Sequence, residues 1–498
     1  MDQACRSLSN TRRHWLIALL SIVLLLRLGS LACYPLMDTT EARYGEIARK
    51  MASSGDWVTP WFDDGVPFWG KPPLSFWLSA ASIKAFGVNE LAVRLPSFGS
   101  GLGMLALVFA SMRRRRGRDA ALVACLVLLT TGLFLVCTGA VLTDTALALS
   151  VTLAMTAFWR METGGVGWGY AFFGALGAGL LAKGPVVLPL VALPTGAFCI
   201  ATGSRERLRR LPWLGGTALT LAIALPWYVA SELKTPGFLA YFVVGEHWQR
   251  FTDASWSGHP YGSIHARPPG FIWVHLLLAT LPWSPWLGVR AARAFAGRGT
   301  GSGLRGLAAS DPWRLYLFFW AIAPAVLFTP AGSVLATYAL PGVPAIALLV
   351  AELWSATPPH HRRTRVPSRW AGPMAAAGLA VAGLVAIVYV DLVVAPNRSQ
   401  ASLLSHVARK DGAPARLAYW LDRPFSAQFY SRGNAVEVSV PSLLQAMVRQ
   451  GQVEYVVARA RDDLPPGIAS DLVPVARQGE GRHASVLWQV VDPPLAMR

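Results

Sequence analysis

The feature that most limits how this chain can fold is a succession of apolar runs, each about 20 residues long. A helix of that length crosses the hydrocarbon core of a membrane, where lipid offers no hydrogen-bond partner to an extended backbone. The mean hydropathy of +0.41, with 53% hydrophobic and only 14% charged residues, indicates a polytopic membrane protein and excludes a disordered chain. We predict eleven transmembrane helices, at about 14–36, 95–112, 119–138, 144–160, 168–182, 185–201, 212–231, 270–289, 312–330, 335–354 and 370–392.

The net charge of +18 comes largely from arginine clusters on alternate loops, a pattern that does not indicate nucleic-acid binding. These clusters lie at 113–118, 205–210, 290–305 and 362–365. Cytoplasmic loops of membrane proteins carry such an excess of basic residues. We therefore expect a cytoplasmic N-terminus, with the loops 37–94 and 232–269 and everything after about 393 on the external side.

Composition divides the chain into two predicted domains. Residues 1–392 form the transmembrane domain, which includes the external loops 37–94 and 232–269. Hydropathy falls after about 393, and residues 393–498 favour a small external α/β domain. Within it, the segments 416–421, 435–440, 453–458 and 485–491 have the pattern of short strands, and 441–450 that of a helix.

The loop 37–94 has room for two short helices. In the first of them Tyr44, Ile47 and Met51 recur at helical spacing on one side, with Glu46 and Lys50 opposite. This pattern predicts an amphipathic helix along the membrane surface.

Acidic residues on the external side are candidates for catalysis. Asp38 and Glu41 directly follow the first apolar run, and Asp144 lies in the short link between the third and fourth. Carboxylates at membrane depth are costly and usually face a cavity or a partner. For Asp144 a helix-capping role is equally open, because Thr143-Asp144 is a favourable N-cap sequence.

Basic residues on the same side run against the usual charge distribution. Lys71, Lys183 and Arg43 lie on or near external loops, where a phosphate ligand would account for them. The alternative is simple charge balance with the neighbouring carboxylates. His247 and Arg250 belong to a polar, aromatic loop of the kind that closes over a ligand.

Several of these segments, read in order, resemble one known family. The matching segments are 38–51, 54–60, 71–77, 86–96, 142–145, 182–185, 225–228, 246–247, 281–284 and 338–341. They resemble the lipid A aminoarabinose transferases, which are C-type (GT-C) membrane glycosyltransferases related to the protein O-mannosyltransferases. The resemblance covers about residues 14–355, and its first loop is specific.

The resemblance implies an α-helical polytopic GT-C fold with amphipathic surface helices in the first loop and a small C-terminal α/β periplasmic domain. It also implies an inverting transferase in the bacterial inner membrane, with its active site on the periplasmic side. Such an enzyme moves a sugar, here expected to be an amino sugar, from a polyprenyl (undecaprenyl) phosphate carrier to a lipid A phosphate or another envelope acceptor.

The same resemblance implies roles for individual residues. The donor phosphate would be held by Lys71, Arg43 and Lys183. Tyr44, His247, Arg250 and Tyr338 would line the cavity, and Asp38, Glu41 and Asp144 would be the catalytic carboxylates. Three positions depart from the family pattern: Thr40 replaces Asp, Gly70 replaces Glu, a metal-ligand position, and Val334 replaces Lys.

The expected partners are the lipid-linked sugar donor, the envelope acceptor and membrane lipids, with no nucleic acid and a monomeric chain. A divalent cation is left open. One alternative is transfer to a protein or glycan hydroxyl, where Asp38 or Glu41 would act as general base. A lipid-linked sugar transporter is a second, although no internal repeat supports it. A non-catalytic assembly protein is a third.

Overall fold

The computed structural model describes residues 2–253, 261, 266–296, 311–355, 368–407, 415–481 and 484–491. Most of the predicted basic clusters 290–305 and 362–365, and part of the loop 232–269, lie outside these residues. The chain forms two compact units. The first comprises Met1–Gly29, Val58–Ser75 and Leu95–Val385, and the second Ser30–Trp57, Phe76–Arg94 and Ala386–Arg498.

Helices make up nearly all of the described part of the first unit. Those lying wholly or mainly in it are Asp2–Ser30, Glu90–Arg116, Arg118–Leu129, Gly132–Cys137, Asp144–Gly164, Val166–Lys183, Val187–Thr202, Arg205–Arg209, Trp213–Lys234, Phe238–Ala240, Arg250–Thr252, Phe271–Ala279, Trp283–Ala296, Pro312–Phe328, Val343–Ser355 and Ser368–Arg398. A π-helix covers Tyr241–Gln249, and a 3₁₀ helix covers Ala336–Gly342. A two-stranded antiparallel ribbon, β1 (Trp61–Asp63) and β2 (Val66–Pro67), leads into the segment that carries Lys71.

Among the described residues, five helices are long and apolar enough to cross a membrane, and a bent pair raises the number to six. The five are Arg13–Ser30, Glu90–Arg116, Trp213–Lys234, Ala336–Ser355 and Gly378–Ala395, and the pair is Phe271–Ala279 with Trp283–Arg290, bent by 105°. Leu74–Phe86, Val187–Thr202 and Pro312–Phe328 are shorter apolar helices. The count of eleven spans stays a prediction.

One predicted span is interrupted. The run 119–138 consists of two helices, Arg118–Leu129 and Gly132–Cys137. At the break, the hydroxyls of Thr130 and Thr131 each donate to a backbone carbonyl four residues earlier, at 2.7 Å. A threonine hydroxyl bonded to the carbonyl four residues earlier competes with the backbone hydrogen bonds of a continuous helix.

The second unit contains a five-stranded mixed sheet in the order β4-β3-β5-β7-β6. The strands are β3 (Leu417–Trp420), β4 (Ala435–Val438), β5 (Tyr455–Arg459), β6 (Leu472–Gln478) and β7 (Ser485–Val490). β3 runs parallel to β4 and β5, whereas β7 runs antiparallel to β5 and β6. The sequence pattern predicted all of these strands except β6.

Alternation along the central strands gives this sheet two buried faces. Ala418 and Val456 belong to one apolar cluster, and Leu417 and Val457 belong to the other. The described helices of this unit are Thr40–Ser54, Leu74–Phe86, Ala401–Leu404, Phe425–Tyr430 and Pro441–Arg449, with a 3₁₀ turn at Ala469–Asp471.

The first helix of the loop 37–94 is present at Thr40–Ser54, but Glu46 on its predicted polar side is buried. Its position along a membrane surface stays a prediction. Glu46 is 0% exposed and Arg49 only 8%, whereas Lys50 is half-buried, so only part of the polar side reaches solvent. The two side chains neutralise each other, because the Arg49 guanidinium donates to both Glu46 oxygens at 2.7 Å. Burial nevertheless raises the pKa of Glu46, an effect that the hydrogen bond from Arg49 opposes.

Candidate active site

A cavity of about 410 Å³ in the first unit brings together residues that are far apart in sequence. It is lined by Lys71, Asp144, Leu147, Lys183, Pro185, Val186, Leu188, Pro189, Leu190, Glu246, His247, Arg250, Phe251, Leu327, Phe328, Ser333 and Tyr338. One part of this wall is charged and the other is apolar. Such a cavity suits an amphiphile with an ionic head group.

Glu246 joins two cations at one side of the cavity. Its Oε1 atom accepts a hydrogen bond from Lys71 Nζ and another, at 2.7 Å, from Arg250 Nη1. All three side chains are largely buried, at 4% exposure for Glu246, 15% for Lys71 and 14% for Arg250. The carboxylate therefore compensates only one of the two positive charges.

An aromatic cluster fixes the segment that leads to Lys71. Tyr261 donates its hydroxyl proton to the Pro67 carbonyl at 2.8 Å and accepts from the Trp69 backbone amide at 3.2 Å. Its ring also lies 4.8 Å from that of Phe68. Prolines 72 and 73 follow Lys71 directly and resist an early start of the next helix. The lysine thus has a defined position on an otherwise irregular loop.

Asp144 and Lys183 form the second ion pair of the cavity. Lys183 Nζ donates to Asp144 Oδ1 at 2.5 Å, and it lies 4.4 Å from the ring centroid of Tyr338. Asp144 is the first residue of its helix, and the preceding Thr143 makes no side-chain capping bond. The carboxylate of Asp144 thus faces a cation in the cavity, which favours a role in the site over helix capping.

Gly184 allows the Lys183 end of the cavity to close tightly. It has φ +83°, and a Cβ atom there would lie 2.7 Å from Phe242 and 2.9 Å from His247 Nε2. Glycine is the residue that accepts this backbone conformation and this approach without strain. The Lys-Gly-Pro sequence at 183–185 therefore has a direct structural explanation.

The π-helix Tyr241–Gln249 carries both Glu246 and His247. Short π-helical segments occur often at functional sites. His247 Nδ1 lies 2.8 Å from the Phe242 carbonyl, and Nε2 lies 3.3 Å from the Lys183 carbonyl. Burial lowers the pKa of His247, although the hydrogen bond to Phe242 opposes the shift. A neutral imidazole is therefore favoured, and it adds no charge to the cavity.

The lining residues carry a small positive excess. Lys71, Lys183 and Arg250 are set against Asp144 and Glu246, which leaves one positive charge. Burial lowers the pKa of Lys71, and the Glu246 carboxylate opposes that shift. An anion in the cavity would restore neutrality and favour the protonated lysine.

The residues present do not fit a metal centre. No group of three or more His, Cys, Asp or Glu side chains is placed to hold an ion among the described residues. Both cavity carboxylates are in ion pairs, and both nitrogens of His247 face backbone carbonyls. At Gly70, where the resemblance expects a ligand, a Cβ atom would lie 2.9 Å from the Phe68 ring.

Four predicted site residues, Asp38, Glu41, Arg43 and Tyr44, belong to the second unit. Glu41 accepts from Arg94 Nε and Nη2 at 2.8 and 2.9 Å, and Arg94 also donates to the carbonyls of residues 31, 34 and 35. Both carboxylate oxygens of Glu41 thus accept hydrogen bonds from the buried guanidinium of Arg94. Their assignment to catalysis stays a prediction.

Asp38 and Tyr44 also make defined contacts within the second unit. Asp38 accepts hydrogen bonds from the backbone amide, at 3.0 Å, and the hydroxyl of Ser426. Burial raises the pKa of Asp38 to about 6, although both bonds from Ser426 lower it. Tyr44 packs edge-on against Phe76 at 5.4 Å, and Arg43 lies 5.4 Å from the centre of the Tyr44 ring.

Sequence reasoning missed two polar residues of the cavity, Glu246 and Ser333. Glu246 had a signal, since it stands four residues before Arg250 in a loop rich in polar residues. Ser333 also had a signal, since it directly precedes Val334, one of the positions that depart from the family pattern. The apolar wall of the cavity was not predicted either, because its residues lie within predicted spans.

Comparison with known proteins identifies similar sequences and a similar fold. Residues 14–242 match the dolichyl-phosphate-mannose-protein mannosyltransferase family. The structure superimposes on a crystal structure of ArnT from Cupriavidus metallidurans bound to undecaprenyl phosphate with a TM-score of 0.78, at 22% identity, over 95% of this chain and 98% of that one. This chain has the ArnT fold. The apo crystal structure of ArnT gives a TM-score of 0.74 at 21% identity over 96% and 98% of the two chains.

Sequence relatives agree with the ArnT fold. The undecaprenyl phosphate-alpha-4-amino-4-deoxy-L-arabinose arabinosyl transferase of Yersinia pestis (strain Pestoides F) is 32% identical over 329 residues, which cover 64% of this chain and 55% of the relative. The enzyme of the same name from Shewanella sediminis is 33% identical over 66% and 58% of the two chains. The match therefore spans little more than half the length of these relatives. The resemblance predicted from the sequence is confirmed.

Proposed function

We propose that this chain is a glycosyltransferase that takes a sugar from an undecaprenyl phosphate carrier and passes it to a lipid A phosphate or another envelope acceptor. The observation that carries the proposal is the cavity, which joins three buried cations to an apolar wall. A polyprenyl phosphate sugar has the matching form, with an anionic phosphodiester on a long hydrocarbon chain. The relatives named above support aminoarabinose as the sugar.

Charge favours this donor in two ways. A phosphodiester carries one negative charge, which equals the positive excess of the cavity lining. During transfer the bond from the anomeric carbon to the phosphate oxygen breaks, and its electron pair stays on the phosphate. Lys71 and Arg250 are placed to stabilise that added charge, as preorganised cations do in other transferases.

The acceptor requires little activation if it is a phosphate. A phosphate monoester has a second pKa near 6, so at pH 7 it is mainly a dianion and attacks the anomeric carbon without a general base. Direct attack on the face opposite the leaving phosphate inverts that carbon. Asp144, held by Lys183, would stabilise the positive charge that develops on the sugar or bind its amino group.

The same proposal includes a location. We propose eleven spans in a bacterial inner membrane, a cytoplasmic N-terminus, and a cavity and C-terminal α/β domain on the periplasmic side. The long apolar helices and the multi-span character of the ArnT fold support it. Arginine-rich sequence at the opposite helix ends supports the orientation.

Substitution of Lys71 tests the function. Lys71→Ala should abolish transfer from undecaprenyl phosphate-linked aminoarabinose to lipid A while the solubilised protein stays folded, because it removes one of the two cations nearest Glu246. Lys84→Ala is the matched control, since Lys84 is an exposed lysine and should leave turnover unchanged. Mass spectrometry of lipid A from cells with either variant gives the readout. Wild-type modification by Lys71→Ala would sink the assignment.

A further inference from the structure

Ser333 is a buried hydroxyl in the wall of the cavity. Its side chain is among the lining residues, and the residue is only 6% exposed. Within the described part of the chain, its Oγ atom has no hydrogen-bond partner. The reaction proposed above does not use it.

The position of Ser333 is fixed by its backbone. Ser333 forms an isolated antiparallel bridge with Ala266, and the amide of Arg267 donates to the Gly332 carbonyl at 3.2 Å. On the other side, the Gly332 amide donates to the carbonyl of Phe251 at 3.4 Å. Phe251 itself lines the cavity. The hydroxyl is thus held at the cavity wall by paired loops and not by its own side-chain bonds.

The residue after Ser333 adds no cation to the cavity. Val334 is 1% exposed and is not among the lining residues, so position 334 is packed into the protein. The polar contact this segment offers to the cavity is therefore a neutral hydroxyl. A hydroxyl both donates and accepts hydrogen bonds, whereas the lysines and arginine of the cavity only donate.

Leaving a buried hydroxyl without a partner destabilises the protein that contains it. The cost disappears when a ligand supplies the partner. We infer that Ser333 binds the polar head group of the lipid-linked donor, through either a phosphate oxygen or a sugar hydroxyl. This inference rests on the proposed function, and it assigns to Ser333 a binding role rather than a catalytic one.

The test is Ser333→Ala in the full-length protein in detergent micelles. Loss of one hydrogen bond to the ligand should weaken binding of undecaprenyl phosphate-linked aminoarabinose about tenfold. The apparent Tm without ligand should stay the same or rise, because alanine removes a buried hydroxyl that has no partner in the protein. A serine with a purely structural role would show the opposite, a lower Tm. Ser333→Thr, which keeps the hydroxyl, should recover most of the affinity.

Ser231 supplies a matched control. It is also a buried serine, 3% exposed, whose Oγ has no hydrogen-bond partner among the described residues, but it does not line the cavity. Ser231→Ala should change the Tm in the same direction as Ser333→Ala and leave donor affinity as in the wild type. The contrast between the two serines isolates the contact with the ligand.

A second probe distinguishes the two parts of the head group. If Ser333→Ala weakens undecaprenyl phosphate as much as the sugar-bearing donor, the contact is with the phosphate. If only the sugar-bearing donor is weakened, the contact is with the sugar. Unchanged affinity for both ligands, or a loss of affinity that accompanies a lower Tm, would overturn the inference. Failure of the wild-type protein to bind either ligand would instead overturn the proposed function.

Discussion

Glu246→Gln gives a sharp prediction, because one carboxylate serves two buried cations. The substitution keeps the size of the side chain and removes its charge. Glu246 is 4% exposed and accepts from both Lys71 and Arg250. The lining of the cavity would then carry two uncompensated positive charges in place of one.

The expected magnitude follows from this geometry. At the effective dielectric constant of about 20 that suits such sites, two unit charges about 4 Å apart interact by about 4 kcal/mol. Removal of one partner from a buried pair typically costs about 3 to 5 kcal/mol. We therefore expect Glu246→Gln to lower the free energy of unfolding by about 4 kcal/mol. Glu437→Gln is the control, because Glu437 is exposed on β4 and should change it by no more than about 0.5 kcal/mol.

The assay is a double-mutant cycle on the solubilised protein with Lys71→Met. Glu246→Gln leaves both Lys71 and Arg250 without a counter-charge, whereas Lys71→Met leaves Glu246 paired with Arg250. The double variant leaves only Arg250 uncompensated, and it removes the repulsion between the two cations that Glu246→Gln exposes. The double variant should therefore be more stable than the sum of the two single losses predicts, by at least about 1 kcal/mol. It should still lack transferase activity, because the phosphate has lost a cation.

Ligand binding adds an independent readout to the cycle. Undecaprenyl phosphate brings the negative charge that Glu246→Gln removes, so the ligand should raise the Tm of this variant more than that of the wild type. At a ligand concentration of about 100 times Kd, binding alone stabilises a protein by about 2.7 kcal/mol. Two results together would refute Lys71 and Arg250 as the phosphate site: stability losses that are additive in the cycle, and a ligand-induced shift in Tm that is equal in Glu246→Gln and in the wild type.

Three further predictions concern other ionisable groups. Burial lowers the pKa of Lys71, so affinity for undecaprenyl phosphate, followed from pH 7 to 10, should fall at a lower pH than the ordinary lysine pKa of about 10.4 predicts, and Lys71→Arg should extend binding to higher pH. Burial raises the pKa of Asp38 to about 6. The folded state therefore holds this proton more tightly than the unfolded state, and stability should fall as the pH rises from about 4 to 6. Asp38→Asn should flatten that part of a Tm-against-pH curve. Arg94→Lys should cost about 3 kcal/mol in chemical unfolding, because lysine cannot make both bonds to Glu41 and also reach three backbone carbonyls; stability equal to the wild type would remove the anchor role.

Local sequence was a good guide to where helices and strands form. Apolar runs predicted helices because the period and length of a helix are properties of one continuous segment. The break at Thr130 and Thr131 was missed since the run stays apolar on both sides of it. β6 was missed because it contains Pro474 and Ala476, two residue types that are depleted in strands.

Sequence also located much of the cavity without predicting its pairings. Lys71, Asp144 and Lys183 were chosen as charges in unusual places, and all three line it. Charge balance with Asp144 was one of the alternatives, but the specific pairs were not predicted, because Lys71 and Glu246 are 175 residues apart and Asp144 and Lys183 are 39 apart. No periodicity links residues at such distances.

What the sequence by itself determined is therefore the helical membrane-protein class, the resemblance to the aminoarabinose transferases and several of the charged residues that line the cavity. Only the tertiary structure decided which charges neutralise each other. It buried Glu46 with Arg49 in a helix that looked amphipathic, and it set Glu246 between two cations. The physical reason is that an isolated charge must stay in water, whereas a paired charge can be buried, and pairing between distant residues exists only after the chain has folded.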